Sequence, residues 1–369
     1  MSTDDAAQTT WKKEVAGTAR FAPNTSISRM IPLSDGTMLL TGQDNRPASR
    51  VYIFDPKKKK ATTRRLPLKQ ANAALSIPGG KLLLFRFSDS PTSNNTQFML
   101  WDPATKETQS FTGQMPVQHF VCADMLGDRL SIIASSSVGG SSGGFDWKSD
   151  VAWAGSLNLS ELCIETPFHK IEDIDASDIA MLNPETCFVF AHGRTRSYCR
   201  LRDTRVIGKQ EGTQLPNSKV KPDLSTPFFR LSWAGQDSEG GVLFAGEVYS
   251  QKHHEGTQTA LFRWTLDNPS FEMVGSWSDG NCYFSEAVHL KDGSTLLFFS
   301  ERQTANILIR RYVPGQQAKS AGRLTDTFYV SGIAEASDGR LYMYSCKPAL
   351  KDGKWLIAGE WDLYVISPS

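Results

Sequence analysis

The sequence lacks the features that mark several large classes of protein. Its 6 cysteines are spread over 369 residues without a Cys-x-x-Cys pair, so a disulfide framework is not expected and the thiols should be reduced and mostly buried. No run approaches the roughly 18 apolar residues that cross a bilayer. The 40 basic and 39 acidic residues nearly cancel, so the sequence predicts neither a nucleic-acid partner nor binding to a membrane.

Motifs of catalysis and of cofactor binding are also missing. The sequence has no nucleophile elbow, no P-loop and no Gly-x-Gly-x-x-Gly before a helix. We therefore expect no cofactor, no metal site and no catalytic residue, and the sequence favours a protein that is not an enzyme. The first ten residues are polar and acidic, without the basic and apolar regions of a secretory signal. A cytoplasmic location is the expectation.

A repeated turn followed by an apolar run is the main positive signal. A small polar turn precedes a short run of large apolar residues seven times, at intervals of about 45 to 57 residues, which is the range of propeller blades. The turns are Asp35-Gly36, Gly79-Gly80, Gly127-Asp128, Asn183-Pro184-Glu185, Gly240-Gly241, Asp292-Gly293 and Asp338-Gly339. Asp-Gly between two β-rich runs favours a tight hairpin, because the turn needs positive φ.

The repeat predicts an all-β fold, a seven-bladed β-propeller with four-stranded blades. The apolar runs are continuous rather than alternating, as expected of strands covered on both faces by neighbouring blades. The last repeat ends after its third strand, at 362–366, and we expect the N-terminal strand at 10–15 to complete that blade. Residues 1–9 would form a disordered tail and residues 10–369 a single domain. Six or eight blades and a two-domain β-sandwich are the alternatives.

Two third strands run into an Asp-Pro turn, Asp55-Pro56-Lys57 and Asp102-Pro103-Ala104. This pattern resembles the kelch and galactose-oxidase type of propeller over about residues 30 to 110, and the resemblance implies a fold rather than an activity. The Gly-Gly that usually ends a second kelch strand is replaced by Thr41-Gly42 and Phe87-Ser88. The Gly-His and Trp-Asp markers of WD40 repeats are not evident.

Candidate binding residues lie on the face of the propeller that carries the loops from fourth to first strands and from second to third strands. Guanidinium groups bind carboxylates bidentately, so the arginines of this face predict an acidic protein partner, with ordinary solvated charge as the alternative. They are Arg86, Arg194, Arg196 and Arg302. The loop from Ser135 to Asp150 is rich in Gly and Ser and contains Trp147. This loop would be either a plain surface loop or a lid over a ligand.

Other candidates on this face are aromatic residues and histidines. Phe284 and Tyr329 stand just before or within first strands, so they would either pack between blades or surround the channel mouth as stacking surfaces. His253 and His254 form the sequence's one His pair. Adjacent residues of a strand point to opposite sides, so the pair is a candidate for partner contact rather than a metal site.

These observations predict a protein-interaction scaffold that docks a partner on its loop face, as an adaptor, an inhibitor or an immunity-type protein. A glycan-binding lectin is the first alternative, because exposed aromatic rings stack on sugars. A hydrolase or lyase with a site at the channel mouth is the second, since carboxylates such as Glu172, Asp173 and Asp175 could converge there.

Overall fold

A computed structural model provides the structure of the chain. It describes residues 9–17, 29–41, 50–69, 71, 73–77, 79–87, 95–115, 119–137, 150–170, 176–183, 186–195, 198–208, 214–219, 228–249, 256–265, 267, 272–278, 282–301, 304–351 and 354–369. The elements within these ranges are strands joined by turns. Among them, no helix is long and apolar enough to cross a membrane.

The strands form five four-stranded sheets and one eight-stranded sheet. The β2–β5 blade contains β2 (Arg29–Pro32), β3 (Met38–Thr41), β4 (Arg50–Asp55) and β5 (Lys60–Arg65). The β6–β9 blade contains β6 (Ala73–Ile77), β7 (Lys81–Phe87), β8 (Asn95–Trp101) and β9 (Thr108–Gln114). The β10–β13 blade contains β10 (His119–Leu126), β11 (Arg129–Ser137), β12 (Asp150–Asn158) and β13 (Cys163–Lys170).

The second half of the chain continues the same order. The β14–β17 blade contains β14 (Ala176–Asn183), β15 (Thr186–Thr195), β16 (Tyr198–Gly208) and β17 (Gln214–Lys219). The β18–β21 blade contains β18 (Phe228–Gln236), β19 (Val242–Tyr249), β20 (Gly256–Trp264) and β21 (Glu272–Trp277). The eight-stranded sheet contains β22 (Cys282–His289), β23 (Thr295–Glu301), β24 (Ile307–Tyr312), β25 (Lys319–Leu324), β26 (Tyr329–Glu335), β27 (Leu341–Lys351), β28 (Lys354–Pro368) and β1 (Thr10–Val15).

The first strands of consecutive blades contact one another in series. β10 contacts β6 and β14, β18 contacts β14 and β22, and β26 contacts both β22 and β2. The fold is therefore an all-β, propeller-like arrangement with four-stranded blades.

Each hydrophobic core lies between two consecutive blades. One core joins Leu83 and Phe85 of β7 to Ile132 of β11, and another joins Phe298 of β23 to Met343 of β27. The second strands are covered on both faces, and in β23 every residue from Thr295 to Ser300 is buried. This burial explains why the apolar runs of the sequence do not alternate, and it makes each blade dependent on its neighbours.

Asp-Gly turns join first to second strands, as the sequence predicts. In three of them the glycine has positive φ, with values of 81° at Gly36, 82° at Gly293 and 78° at Gly339. The preceding aspartate folds back on its own turn: one carboxylate oxygen of Asp292 accepts the Ser294 N–H at 2.9 Å. Side chain and backbone thus specify the same hairpin.

The N-terminal strand completes the sheet that the C-terminal strand continues. β1 pairs antiparallel with β28, with Trp11 opposite Pro368 and Val15 opposite Tyr364, which is the pairing that the sequence predicts. β1 also pairs in parallel with β25 of the preceding blade, and the Trp11 Nε1–H donates to the Ala321 carbonyl at 2.9 Å. One short strand therefore connects both ends of the chain and two blades.

The described cysteines fit the expectation of reduced thiols. Cys282 and Cys346 are free and buried, and Cys163 is free and half-buried. Among the described residues, no group of three or more His, Cys, Asp and Glu side chains is placed to hold a metal ion.

Candidate interaction face

The loop face is the end of the blades at which first strands begin and second strands end. On β26, Tyr329 starts the first strand and pairs with Cys346 of β27, which in turn pairs with Trp361 of β28. The β27–β28 hairpin extends beyond this level, through the pairs from Pro348–Ile357 to Lys351–Lys354. The hairpin therefore projects past the beginning of its own first strand.

Four of the nine predicted contact residues belong to described strands, and all four are near this end of their blades. Arg86 is the penultimate residue of β7 and is half-buried. The backbone of Arg194, near the tip of the β15–β16 hairpin, pairs with Cys199. Phe284 lies near the start of β22, and Tyr329 starts β26. The other five lie outside the described residues: Trp147, Arg196, His253, His254 and Arg302.

Tyr329 belongs to a group of four aromatic residues that we call the aromatic row: Tyr283, Tyr329, Trp361 and Tyr344. The Tyr283 and Tyr329 rings, on adjacent first strands, have centroids 6.4 Å apart and planes 23° apart. Trp361 meets Tyr329 edge-on at 6.3 Å and stacks on Tyr344 at 5.2 Å. Tyr344 is buried, whereas the other three are half-buried. The row crosses from one blade to the next, and three of its four residues are partly accessible to solvent.

Phe284 has a different environment. Its ring stacks on Trp233 of the preceding blade at 5.9 Å and meets Phe299 edge-on at 5.7 Å. These contacts fit the packing alternative for this residue. Both predicted aromatic residues are half-buried, and they differ in their neighbours: Phe284 contacts Trp233 and Phe299, whereas Tyr329 is part of the aromatic row.

A serine in a β-bulge fixes the distance between the two first strands beneath the row. The Ser285 hydroxyl accepts the Val330 N–H at 2.9 Å and donates to the Val330 carbonyl at 3.0 Å. The register of β22 shifts at this position, between Phe284 and Glu286. The Ser285 side chain therefore makes two hydrogen bonds to the backbone of the adjacent first strand, one as donor and one as acceptor.

The same bulge recurs in the first strands of other blades. Register shifts enclose residue 177 of β14, residue 232 of β18 and residue 331 of β26, and each of these residues is a serine. β10 has a shift at the corresponding place, where the residue is Val121. Sequence analysis missed this repeat, because a bulge becomes visible only when the strand pairing is known. The spacing of the serines was the available signal.

The loop between β25 and β26 is held in place from two sides. The Thr327 N–H donates to the Ala305 carbonyl at 2.7 Å. The Lys13 ammonium donates to the Thr327 hydroxyl at 2.9 Å and also to the Asp326 carbonyl. Burial lowers the pKa of Lys13, and the nearby Asp326 acts in the opposite direction. The part of the loop face next to Tyr329 is therefore a fixed surface.

The pKa values of two ionisable groups of the row and its surroundings are raised. Burial raises the pKa of the Tyr329 hydroxyl, and the charges of Glu286 and Cys346 raise it further. Burial also raises the pKa of the Cys346 thiol. A nucleophilic thiol needs the opposite shift. The row is thus suited to contact through ring faces and hydroxyl groups.

Comparison with known proteins supports the fold alone. The sequence matches no protein-family model and no curated protein. Among solved structures, the chain is similar to the WD40 repeats of RRP9, with a TM-score of 0.59, 12% identity and 98% of each chain covered. U3-55K gives 0.57 and 11% over 99% of each chain, and streptogramin B lyase gives 0.56 and 10% over 97% of this chain and 98% of that one.

WD40 propellers are thus similar in fold, although the WD40 markers are not evident in the sequence. The kelch type stays a prediction. At such low identities, only the strand order and blade packing are shared.

Proposed function

We propose that the chain is a protein-interaction scaffold that docks a protein partner on its loop face. The observation that carries the proposal is the aromatic row, whose half-exposed Tyr283, Tyr329 and Trp361 cross two blades. Tyrosine and tryptophan, together with arginine, are the residues that most often dominate binding energy at interfaces. The Ser285 and Thr327 hydrogen bonds hold the row before a partner arrives, which lowers the entropic cost of binding.

The remaining contact residues complete this proposal. Arg86 and Arg194 would supply guanidinium groups to an acidic partner, together with Trp147, Arg196, His253, His254 and Arg302. Phe284 would be a further contact residue beside Tyr283. We further infer seven blades in a single domain of residues 10–369, and a cytoplasmic protein. The propeller-like neighbours fit a scaffold, since a rigid ring presents variable loops without changing its core.

The test is quantitative pull-down from native lysate, comparing the unmodified protein with a Tyr283→Ala/Tyr329→Ala variant. The control is Met273→Ala, which changes a side chain that is 50% exposed on the outermost strand β21. We expect one protein to be recovered with the unmodified chain and with the control, and at least about tenfold less with the double variant. Thermal melting shows whether each variant is folded. Equal recovery by all three folded proteins would refute the proposal.

A glycan ligand is the second candidate, favoured by the half-exposed rings of Tyr283 and Trp361. A glycan array with the same variants separates the two candidates. If the unmodified protein binds one sugar class and the double variant does not, we would conclude that the ligand is a carbohydrate rather than a protein. The hydrolase or lyase alternative stays a prediction, and its carboxylates at 172, 173 and 175 lie outside the described residues.

A further inference from the structure

The outer side of the β2–β5 blade carries a local concentration of positive charge. Between residues 50 and 65 the sequence has seven basic residues and one acidic residue, in a chain whose net charge is +1. We call six of these residues the basic edge: Lys57, Lys58, Lys59, Lys60, Arg64 and Arg65. All except the half-buried Arg64 are exposed.

The single carboxylate of this segment does not neutralise the basic edge. Asp55 accepts the N–H groups of Lys57 and Lys58 at 2.9 and 3.1 Å, and its second oxygen lies 3.2 Å from the Lys58 ammonium. The backbone hydrogen bond from Lys58 is the main reason why the pKa of Asp55 lies below its usual value, although partial desolvation acts against it. The aspartate therefore shapes the β4–β5 turn and balances one lysine of the four.

The basic edge coincides with the outermost strand of a sheet. In the strand order β2-β3-β4-β5, β5 is terminal, and among the described strands its ladder is with β4. The turn before it is anchored: Gly17, just after β1, packs so closely on the Lys59 carbonyl that a Cβ atom at Gly17 would lie 2.3 Å from the oxygen. A terminal strand on a fixed turn is a ready template for another strand.

Positive charge on an edge strand also protects against unwanted pairing. In β5 itself, Lys60, Arg64 and Arg65 are basic and no residue is acidic. A strand that adds to this edge therefore meets attraction if it is acidic and repulsion if it is basic.

We propose that the basic edge binds an acidic, extended segment of a partner protein, which adds to the sheet as a strand beside β5. β5 has six residues, so the added segment would make contact over about 20 Å. Main-chain hydrogen bonds would provide affinity and the carboxylates specificity. The sequence from 57 to 65 has no aromatic residue on which nucleic-acid bases could stack. The same segment has no large apolar side chain to insert into a membrane.

The test uses a fluorescently labelled peptide of eight residues in which glutamate and valine alternate, with binding followed by fluorescence anisotropy. We expect Lys60→Glu and Arg65→Glu each to weaken binding by about tenfold, since charge pairs at such surfaces control both specificity and association. The matched control is Lys319→Glu, because Lys319 is likewise an exposed lysine at the first position of an outer strand, β25. This control should bind the peptide as the unmodified protein does.

Two further probes decide between strand addition and charge attraction alone. The same peptide with alternate backbone nitrogens methylated keeps its carboxylates but loses main-chain donors, and it should bind at least about tenfold more weakly. A single-stranded 20-nucleotide RNA and vesicles containing phosphatidylserine should not compete with the acidic peptide.

The proposal is overturned by any of four results. These are no binding of the peptide, equal losses in Lys60→Glu and Lys319→Glu, equal binding of the methylated peptide, or displacement of the peptide by RNA or vesicles. Because the basic edge is separate from the loop face, the Tyr283→Ala/Tyr329→Ala variant should bind the peptide normally. Failure of one proposal therefore leaves the other intact.

Discussion

Two aspartates in the turns between first and second strands of neighbouring blades differ in their access to water, although the arginines that pair with them stand at equivalent places. Asp237 pairs with Arg263 at 2.6 Å, and Asp292 pairs with Arg311 at 2.5 Å. Each arginine stands opposite the second residue of a second strand, Leu243 or Leu296. The Asp237 side chain is fully buried, whereas that of Asp292 is 51% exposed. Hydrogen bonds from Ser294, followed by the charge of Arg311, hold the pKa of Asp292 below its usual value.

This difference predicts unequal effects of the same substitution. Asp237→Ala leaves the Arg263 guanidinium in a largely buried site with only the outer Glu239 carboxylate, 3.3 Å away, and should lower the free energy of unfolding by about 3 kcal/mol. Asp292→Ala removes a solvated pair and a turn contact, and should cost about 1 kcal/mol. Urea unfolding measures both. Equal losses would show that burial does not determine the strength of these pairs.

The Asp–Arg pairs also show what sequence can reveal at this scale. The places of the Asp-Gly turns were predicted correctly, because the conformational demand of the turn acts on adjacent residues. The expectation that both residues of each pair have positive φ was wrong, since only the glycine does. The arginine partners were missed, since Arg263 follows Asp237 by 26 positions and only the strand register brings them together. Arg86 and Tyr329 were assigned to the correct end of their blades, but the neighbours of Tyr329 could not be read from the sequence for the same reason.

At the scale of elements, β1 pairs with β25 of the preceding blade, and the two strands approach closely at Gly322, where a side chain has no room. Gly322 of β25 has a φ of 133°, and a Cβ atom there would lie 2.1 Å from the Thr9 carbonyl oxygen and 2.8 Å from the Trp11 ring. The adjacent Arg323 N–H donates to the same Thr9 carbonyl at 3.1 Å. The backbone of β25 can therefore approach β1 because residue 322 has no side chain.

Gly322→Ala should separate β1 from β25 and lower the free energy of unfolding by about 3 kcal/mol, from strain and overpacking together. Gly315→Ala is the control, since Gly315 also has positive φ, 74°, but a Cβ atom there would meet none of the described residues within 4 Å beyond its chain neighbours; it should cost about 1 kcal/mol. Hydrogen exchange of the β1 amides should rise in the first variant alone. Unchanged exchange in Gly322→Ala would contradict this role.

At the scale of the whole molecule, the ring depends on one six-residue strand. Deleting residues 1–15 removes Trp11 from a core that includes Leu324 and Ile366. It also opens the edge of β28 that β1 covers. We expect the free energy of unfolding to fall by more than about 3 kcal/mol and the protein to self-associate through the open edge.

Urea unfolding and light scattering after size-exclusion chromatography measure these effects. A control that lacks residues 1–8 keeps every β1 contact described above and should behave as the unmodified chain. A monomeric, equally stable 1–15 deletion would show that β1 does not close the ring.

The pairing of β1 with β28 was predictable from the sequence, because the last repeat ends one strand short and a spare strand stands at the other end. The additional parallel pairing of β1 with β25 could not be predicted, because no local sequence pattern shows that an outer strand also pairs with a strand of the next blade. The basic edge was visible as a run of lysines, but its place on a terminal strand required the sheet order.

The β1–β28 pairing also determines when the molecule can be finished. Trp11 leaves the ribosome before its partner Pro368, which follows more than 350 residues later. At ordinary rates of synthesis this is a delay of about 20 to 70 s. During that time the other blades can assemble in order, while the earliest strand waits for the last. Closure of the ring is thus a long-range step that waits for the synthesis of β28, and until then the nascent chain is exposed to chaperones and to mispairing.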